Sequence, residues 1–296
     1  MIPGIRISHW LRDINWQEVK RAGVKFAFIH ATEFKAKSTR LVVDSQLEKN
    51  IEGASSVGVH WGAIHHFRTH IDPVLQATVF HQTVGDFSSL PPVIELTESD
   101  LRGERLNYKM KQFVGSIEDI SGKKPIISTN EDFWRGYMCY EKESHADWAR
   151  TYPIWLSQLT SLWPSVLYPW AAWDIWQYTD DGHIPGIEPK VKLSWFNGSE
   201  KDLCARFAIA PMQDQTISKI AVEPKHAKMI IGEAENKSFE VSLLNKNDYQ
   251  EAVQEHRQSD HVNQYSENVV TPKTISQNLD RYQPEDWIRN YFFQST

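Results

Sequence analysis

What is scarce in this chain narrows it first. Cysteine occurs twice in 296 residues, at Cys139 and Cys204, so no disulfide framework holds the fold, although one isolated bridge stays open. No run approaches the roughly 18 apolar residues of a membrane span. Basic residues are in deficit: 32 Lys and Arg against 38 Asp and Glu leave a formal net charge of −6, which offers no electrostatic footprint for nucleic acid. The opening MIPGIRISHW lacks the charged start and apolar core of a signal peptide. The expectation is a protein made in the cytoplasm and, if exported, released by lysis or a dedicated secretion route. There is no phosphate loop, no Ser/His/Asp arrangement and no usual metal-ligand spacing, so neither a metal nor a cofactor is expected.

A hydrophobic share of 41% and a charged share of 24% are ordinary for a soluble globular protein. The length suits one large domain, or one of about 200 residues with a smaller companion. Tryptophan is abundant. Eleven of the twelve precede residue 200, so the aromatic load belongs to one part of the chain.

That part alternates strand and helix. Strands are expected at Ile5–Ser8, Val24–His30, Gly58–Phe67, within LPPVIEL and at Pro125–Thr129; helices are expected at Asn15–Ala22, Asp44–Ser55, Pro73–Val84 and Asn107–Ile120. A short aromatic segment, Asp132–Tyr140, follows. The alternation implies a parallel α/β sheet or barrel. Three later strands, Pro153–Leu156, Ala172–Tyr178 and Val191–Phe196, have little helix between them and suggest an altered closure. Composition shifts near residue 210. Beyond the linker candidate Pro211–Thr216 come strand candidates at Ile217–Val222, Lys228–Ile231 and Phe239–Leu244. Helix candidates follow at Asp248–His256, Ile275–Tyr282 and Pro284–Phe293. Residues 1–210 are therefore expected to form one domain and residues 211–296 a small α+β domain of unassigned role.

The stretch Leu90–Asp100, LPPVIELTESD, is where chemistry would sit. On a strand, Glu95 and Thr97 project from one face, and chemistry in such folds gathers at the C-terminal ends of strands. Two carboxylates at these positions could divide acid and base work on a glycosidic bond; here the second is threonine.

Several patterns in order resemble the lysozymes of glycoside hydrolase family 25, the muramidases. They are GIRISHW with INWQEVKRAGVKFAFIHATE (Gly4 to Glu33), then Asp44, Asn50 and GVHWGAIHHF, then LPPVIEL and PIIST, and finally PWAAWDIWQYTDDGHIPGIEPKVKLSWFNG (Pro169 to Gly198). The resemblance covers about residues 2–205. It implies an incomplete TIM-like (β/α)5(β)3 barrel, so that the whole chain reads as α/β with a small C-terminal α+β domain.

The resemblance also implies where chemistry should be. The family bears acidic residues where this chain has Arg6, Thr97 and Lys192, asparagine at Ser194, and substrate-contacting tyrosines at Ile64 and Ser128; Glu95 is the one acidic residue kept. A threonine hydroxyl cannot serve as general acid near neutrality, and losing that acid costs roughly 10²–10⁴ in rate. Arg6, Glu95 and Lys192 are expected to pair into an Arg–Glu–Lys cluster that holds Glu95 ionised. Alternatively, the two cations could hold an anionic ligand. Glu98 faces away from Glu95 on a regular strand, and only a bulge or register shift would bring it into the acid's place.

Of His65 and His66 one can face the mouth; His65 is named with Trp10, Ser128 and Trp134 as candidate cleft residues. Trp163, Trp170, Trp173 and Trp176 read either as a sugar-stacking surface or, more simply, as core and strand packing. The functional expectation is a muramidase-fold protein without catalysis that binds peptidoglycan, another glycan or a protein partner, in a phage or secretion setting. Two alternatives stand beside it. One is an active N-acetylmuramidase with a displaced acid, Glu95 or Glu98. The other is a scaffold whose C-terminal domain is the interaction module.

Overall fold

Alternate residues of the first strands face two different cores, and that alternation closes a barrel. The computed structural model describes residues 1–210 apart from 12, 86–89, 161–162 and 189. The expected linker, strands and helices of residues 211–296 lie outside the described residues.

Strands β1 (Ile2–Ile7), β2 (Phe26–Phe34), β4 (His60–His66), β5 (Val93–Glu95), β6 (Ile126–Asn130), β7 (Ile154–Ser157) and β8 (Ile175–Gly182) run parallel in sequence around the sheet. Strand β9 (Val191–Phe196) is antiparallel to both β8 and β1 and closes the ring. A short β3 (Leu41–Val43) forms an antiparallel flap on β2. Helices α1 (Trp16–Arg21), α2 (Leu47–Ser56), α3 (Pro73–Val84) and α4 (Gly103–Ser121) follow the first four barrel strands. After β6 the chain makes a short turn, α5 (Glu131–Phe133), which passes into a π-type turn, Trp134–Met138, and then a 3-10 segment, Glu143–Thr151. Five strands followed by helical segments and three closing strands make the expected (β/α)5(β)3 barrel.

Local chemistry sets these elements. Asn15 caps α1 by accepting from Glu18 N–H, and Asp72 caps α3 by accepting from Leu75 N–H, with Pro73 in the first turn where its missing N–H costs nothing. Gly122 ends α4 at φ 66°, a conformation that favours glycine.

Ala27, Ile29, Ala63, Ile94 and Ile127 pack outward under the helices, while Phe26, Phe28, Ile64, Val93, Ile126, Trp155 and Ile175 fill the barrel. Sequence reading missed helix α6 (Glu200–Phe207), whose Leu203 and Phe207 join that interior cluster beside Phe196 and plug the N-terminal end of the barrel. The helix begins with a capping box between Ser199 and Asp202. What remains open is the end where the parallel strands finish.

Candidate functional site

Glu95 ends β5, in register with His66 on β4 and Ser128 on β6. Beneath it lies an apolar floor that includes the Phe28 and Trp155 rings, 4.7 Å apart. The residue is 7% exposed, so an unpaired charge here would be costly. It is not unpaired. Arg6 reaches across the barrel from β1 and donates through both terminal nitrogens, Nη1 to Oε1 and Nη2 to Oε2, the latter at 2.6 Å. His66 Nδ1 lies 3.3 Å from Oε2. Burial acts to raise the Glu95 carboxyl, but Arg6 and His66 outweigh it and hold the group well below the usual carboxylate range.

The pairing continues outward. The other nitrogen of His66, Nε2, lies 3.5 Å from Glu98 Oε1. Glu98 is also gripped by Arg68 Nη1. Arg68 in turn donates from Nη2 to Glu33 Oε2 at 3.0 Å and from Nε to the Phe34 carbonyl at 3.0 Å. Arg6, Glu95, His66, Glu98, Arg68 and Glu33 thus form one chain of alternating partners across the mouth.

The expected Arg–Glu–Lys cluster is corrected in its third member. Arg6 pairs with Glu95 as expected, but Lys192 Nζ lies 3.4 Å from Asp180 Oδ1 on the adjacent strand β8, and His66 takes the place assigned to Lys192. A lysine on antiparallel β9, opposite Arg6 in register, meets the next strand's carboxylate before it meets one across the barrel.

His65 is a second correction. It points outward, fully buried between sheet and helices, with Nδ1 2.8 Å from Thr32 Oγ1 and Nε2 3.2 Å from Gln76 Oε1, and its ring stacks on Phe113. Burial lowers its pKa to about 3. His66, one residue on, faces the mouth because successive strand residues face opposite ways.

Trp134 is a third correction. It is fully buried, packs at a tilt against Trp170 with ring centres 4.6 Å apart and donates its indole N–H to the Tyr168 carbonyl. The π-type turn directs it inward and away from the rim.

Trp10 stands 76% exposed beyond the end of β1, in a 3-10 turn (His9–Leu11) anchored by His9, whose backbone N–H and Nδ1 meet the buried Asp44 carboxylate at 2.8 and 3.0 Å. Thr97 follows the end of β5, half-buried. Ser128 is buried in register with Glu95, and Ser194 is buried on β9 with its hydroxyl unpartnered among the described residues. His30 also faces the mouth; burial first and the Arg6 charge second push its pKa down.

Sequence reasoning missed Arg68, Glu33, His30 and Asp180 as members of this site. Arg68 and Glu33 lie just past or near the C-terminal ends of β4 and β2, the position that marks a barrel's working end, and that was the available signal. Among the described residues no group of three or more His, Cys, Asp or Glu could hold a metal ion, and no helix is long and apolar enough to cross a membrane.

Comparison with known proteins agrees with this architecture. Residues 5–187 match the family described as glycosyl hydrolases family 25. The uncharacterized protein YegX of Escherichia coli (strain K12) is 32% identical over 212 residues, covering 69% of this chain and 72% of that protein. Lysozyme M1 of Streptomyces globisporus is 28% identical over 216 residues, covering 69% and 70%. Among solved structures, the bacterial lysozyme from Streptomyces coelicolor superposes with a TM-score of 0.63 at 26% identity, over 70% of this chain and 96% of that one. A family 25 glycosyl hydrolase from Bacillus anthracis gives 0.58 at 26% identity, over 68% and 91%. With the barrel, its closing strands and a sequence match over more than half its length, this chain belongs to glycosyl hydrolases family 25.

Proposed function

We propose that this lysozyme-like barrel binds peptidoglycan without cleaving it. One observation carries the proposal: the carboxylate at the centre of the mouth is clamped by Arg6 through both oxygens and touched by His66. Glycoside hydrolysis needs a carboxylic acid whose pKa is raised toward working pH so that it can protonate the leaving oxygen. Glu95 is shifted the other way. As nucleophile it is no better placed, since both oxygens are engaged. Thr97, where the family resemblance puts a carboxyl group, offers a hydroxyl that cannot deliver a proton near neutral pH.

A second reading has one observation in its favour. The chain leaves β5 after Glu95, so the two-residue period no longer turns Glu98 away, and its carboxylate comes within 3.5 Å of His66 in the mouth. Glu98 could then act as a displaced acid. Arg68 opposes this, because its guanidinium already occupies the Glu98 carboxylate oxygen that faces His66.

The test is turbidity clearing and muropeptide release on purified peptidoglycan, with sedimentation of bound protein measured alongside. The wild type is expected to co-sediment and release nothing, and Thr97→Glu alone is expected to stay silent because Arg6 still holds Glu95. Release by the wild type that disappears in Glu98→Gln would establish the second reading. Release that disappears in Glu95→Gln would overturn the argument from the clamp. If nothing is released and nothing co-sediments, the glycan part of the proposal fails and a protein partner becomes the target.

A further inference from the structure

The three closing strands follow one another with no α-helix between them among the described residues, and rings build the outer face of β8 and β9. Trp163, in the β7–β8 connection, lies 6.4 Å from Trp176 between ring centres. Trp176 lies 5.7 Å from Tyr178, and Tyr178 stacks on Trp195 at 5.7 Å with only 14° between their planes. Trp173 buttresses the series, 6.0 Å from both Trp163 and Trp176.

Packing accounts for Trp173 and Trp176, each 7% exposed. It does not account for Trp163 at 70% or Leu159 at 59%. Large apolar groups exposed together on a surface mark a contact site more often than isolated ones do.

Tyr178 and Leu159 also line a hollow of about 510 Å³ whose other walls are Thr160, Thr179, Asp180 and Asp181. The hollow is open to solvent over much of its face, as suits a ligand laid along a surface and not one that is enclosed. The combination has a chemical meaning. Flat ring faces suit the C–H faces of a pyranose, and carboxylates and hydroxyls beside them suit its hydroxyl groups. The side chains of Asp180 and Asp181 are 44% and 73% exposed, and their ion pairs to Lys192 and Lys190 run through Oδ1 and Oδ2 respectively. The hollow adjoins the mouth, because Asp180 also accepts from Gln177 Nε2 at 2.7 Å and pairs with Lys192 on the barrel's closing strand.

We infer that this outer face of β8–β9 is a glycan-docking platform that takes a β-linked amino-sugar strand, with Trp163 and Tyr178 as stacking rings and Asp181 as a hydroxyl acceptor. The inference rests on the glycan-binding reading above but not on the absence of hydrolysis.

The experiment titrates the full chain with chitotetraose, followed by tryptophan fluorescence and by calorimetry, and repeats sedimentation with purified peptidoglycan. Trp163→Ala and Asp181→Ala, both at exposed positions, are expected to weaken binding about tenfold each, and Trp163→Phe to recover part of the loss. Wild-type binding that both alanine variants retain in full would overturn the platform and leave the peptidoglycan-binding proposal standing. Binding that the variants lose, in a wild type that also releases muropeptides, would support the platform and overturn the non-catalytic reading. No wild-type binding to either glycan would overturn both.

Discussion

Replacing Arg6 by methionine tests the mouth most directly. The substitution keeps an unbranched apolar stem but removes the guanidinium and with it both donors to Glu95. The Glu95 and Arg6 side chains are 9% and 17% exposed, so water cannot take over the lost contacts cheaply. Removing one partner of a buried ion pair costs about 3–5 kcal/mol. His66, 3.3 Å from Oε2, remains as a partial substitute, which places the expectation near 3 kcal/mol, at the lower end of that range. For a barrel of this size the melting temperature should fall by roughly 6–12 °C.

Urea unfolding followed by tryptophan fluorescence reads the effect. The double variant Arg6→Met with Glu95→Leu should recover most of the loss, because an apolar pair of similar volume replaces a buried ion pair at little cost. The pH dependence adds a second readout. Glu95 titrates below its ordinary value of 4.5 in the folded protein, so as pH falls the unfolded chain takes up that proton first. The stabilisation is complete above pH 4.5 and drains away below it. In Arg6→Met, where burial opposes His66 alone, the acid slope should be shallower. A loss under about 1 kcal/mol, the value of an exposed pair, with an unchanged acid slope would refute the reasoning.

Two further stability predictions use other parts of the barrel. His65 stays neutral in the fold with its pKa lowered to about 3, whereas its ordinary value is 6.5; its share of stability is complete above pH 6.5 and erodes as pH falls toward 3. His65→Leu should therefore shrink the stability difference between pH 7 and pH 5 by about 2 kcal/mol, and urea midpoints that keep the wild-type difference would count against the buried neutral histidine. Gly4→Ala drives a methyl into steric overlap with three atoms of the Phe26 ring inside the barrel. It should cost about 1–3 kcal/mol as overpacking, and an unchanged urea midpoint would show that the interior yields more easily than its packing suggests.

The alternation of strand and helix, and the lack of helix between the closing strands, narrowed the fold to a parallel sheet or barrel with an altered closure, and the family resemblance chose the (β/α)5(β)3 barrel. Helix α6 was missed because its eight residues carry few apolar positions and so little helical periodicity to read; Leu203 and Phe207 show their purpose only once the barrel end they fill exists. The Arg6–Glu95 pair followed from family position and charge. Lys192 misled because the sequence does not say which of two carboxylates a lysine meets, and the antiparallel register of β9 against β8 decides for Asp180. The choice between His65 and His66 depended on strand phase, which adjacent identical residues cannot report. Glu98 depended on where β5 stops, and a strand that ends at Glu95 frees the next residues from the alternation that seemed to exclude it.

The alternating chain across the mouth has a parity. Arg6 closes one end of it and Arg68 sits between two carboxylates, so reversing the charge of either alone sets like charges side by side: an acidic residue at position 6 would face Glu95, and one at position 68 would face Glu98 and Glu33. Each single step from this arrangement toward a mouth of several carboxylates therefore loses an ion pair and adds a repulsion at once. Such a network behaves as a ratchet in sequence space, easy to enter one substitution at a time once a carboxylate is lost, and hard to leave except by paired changes.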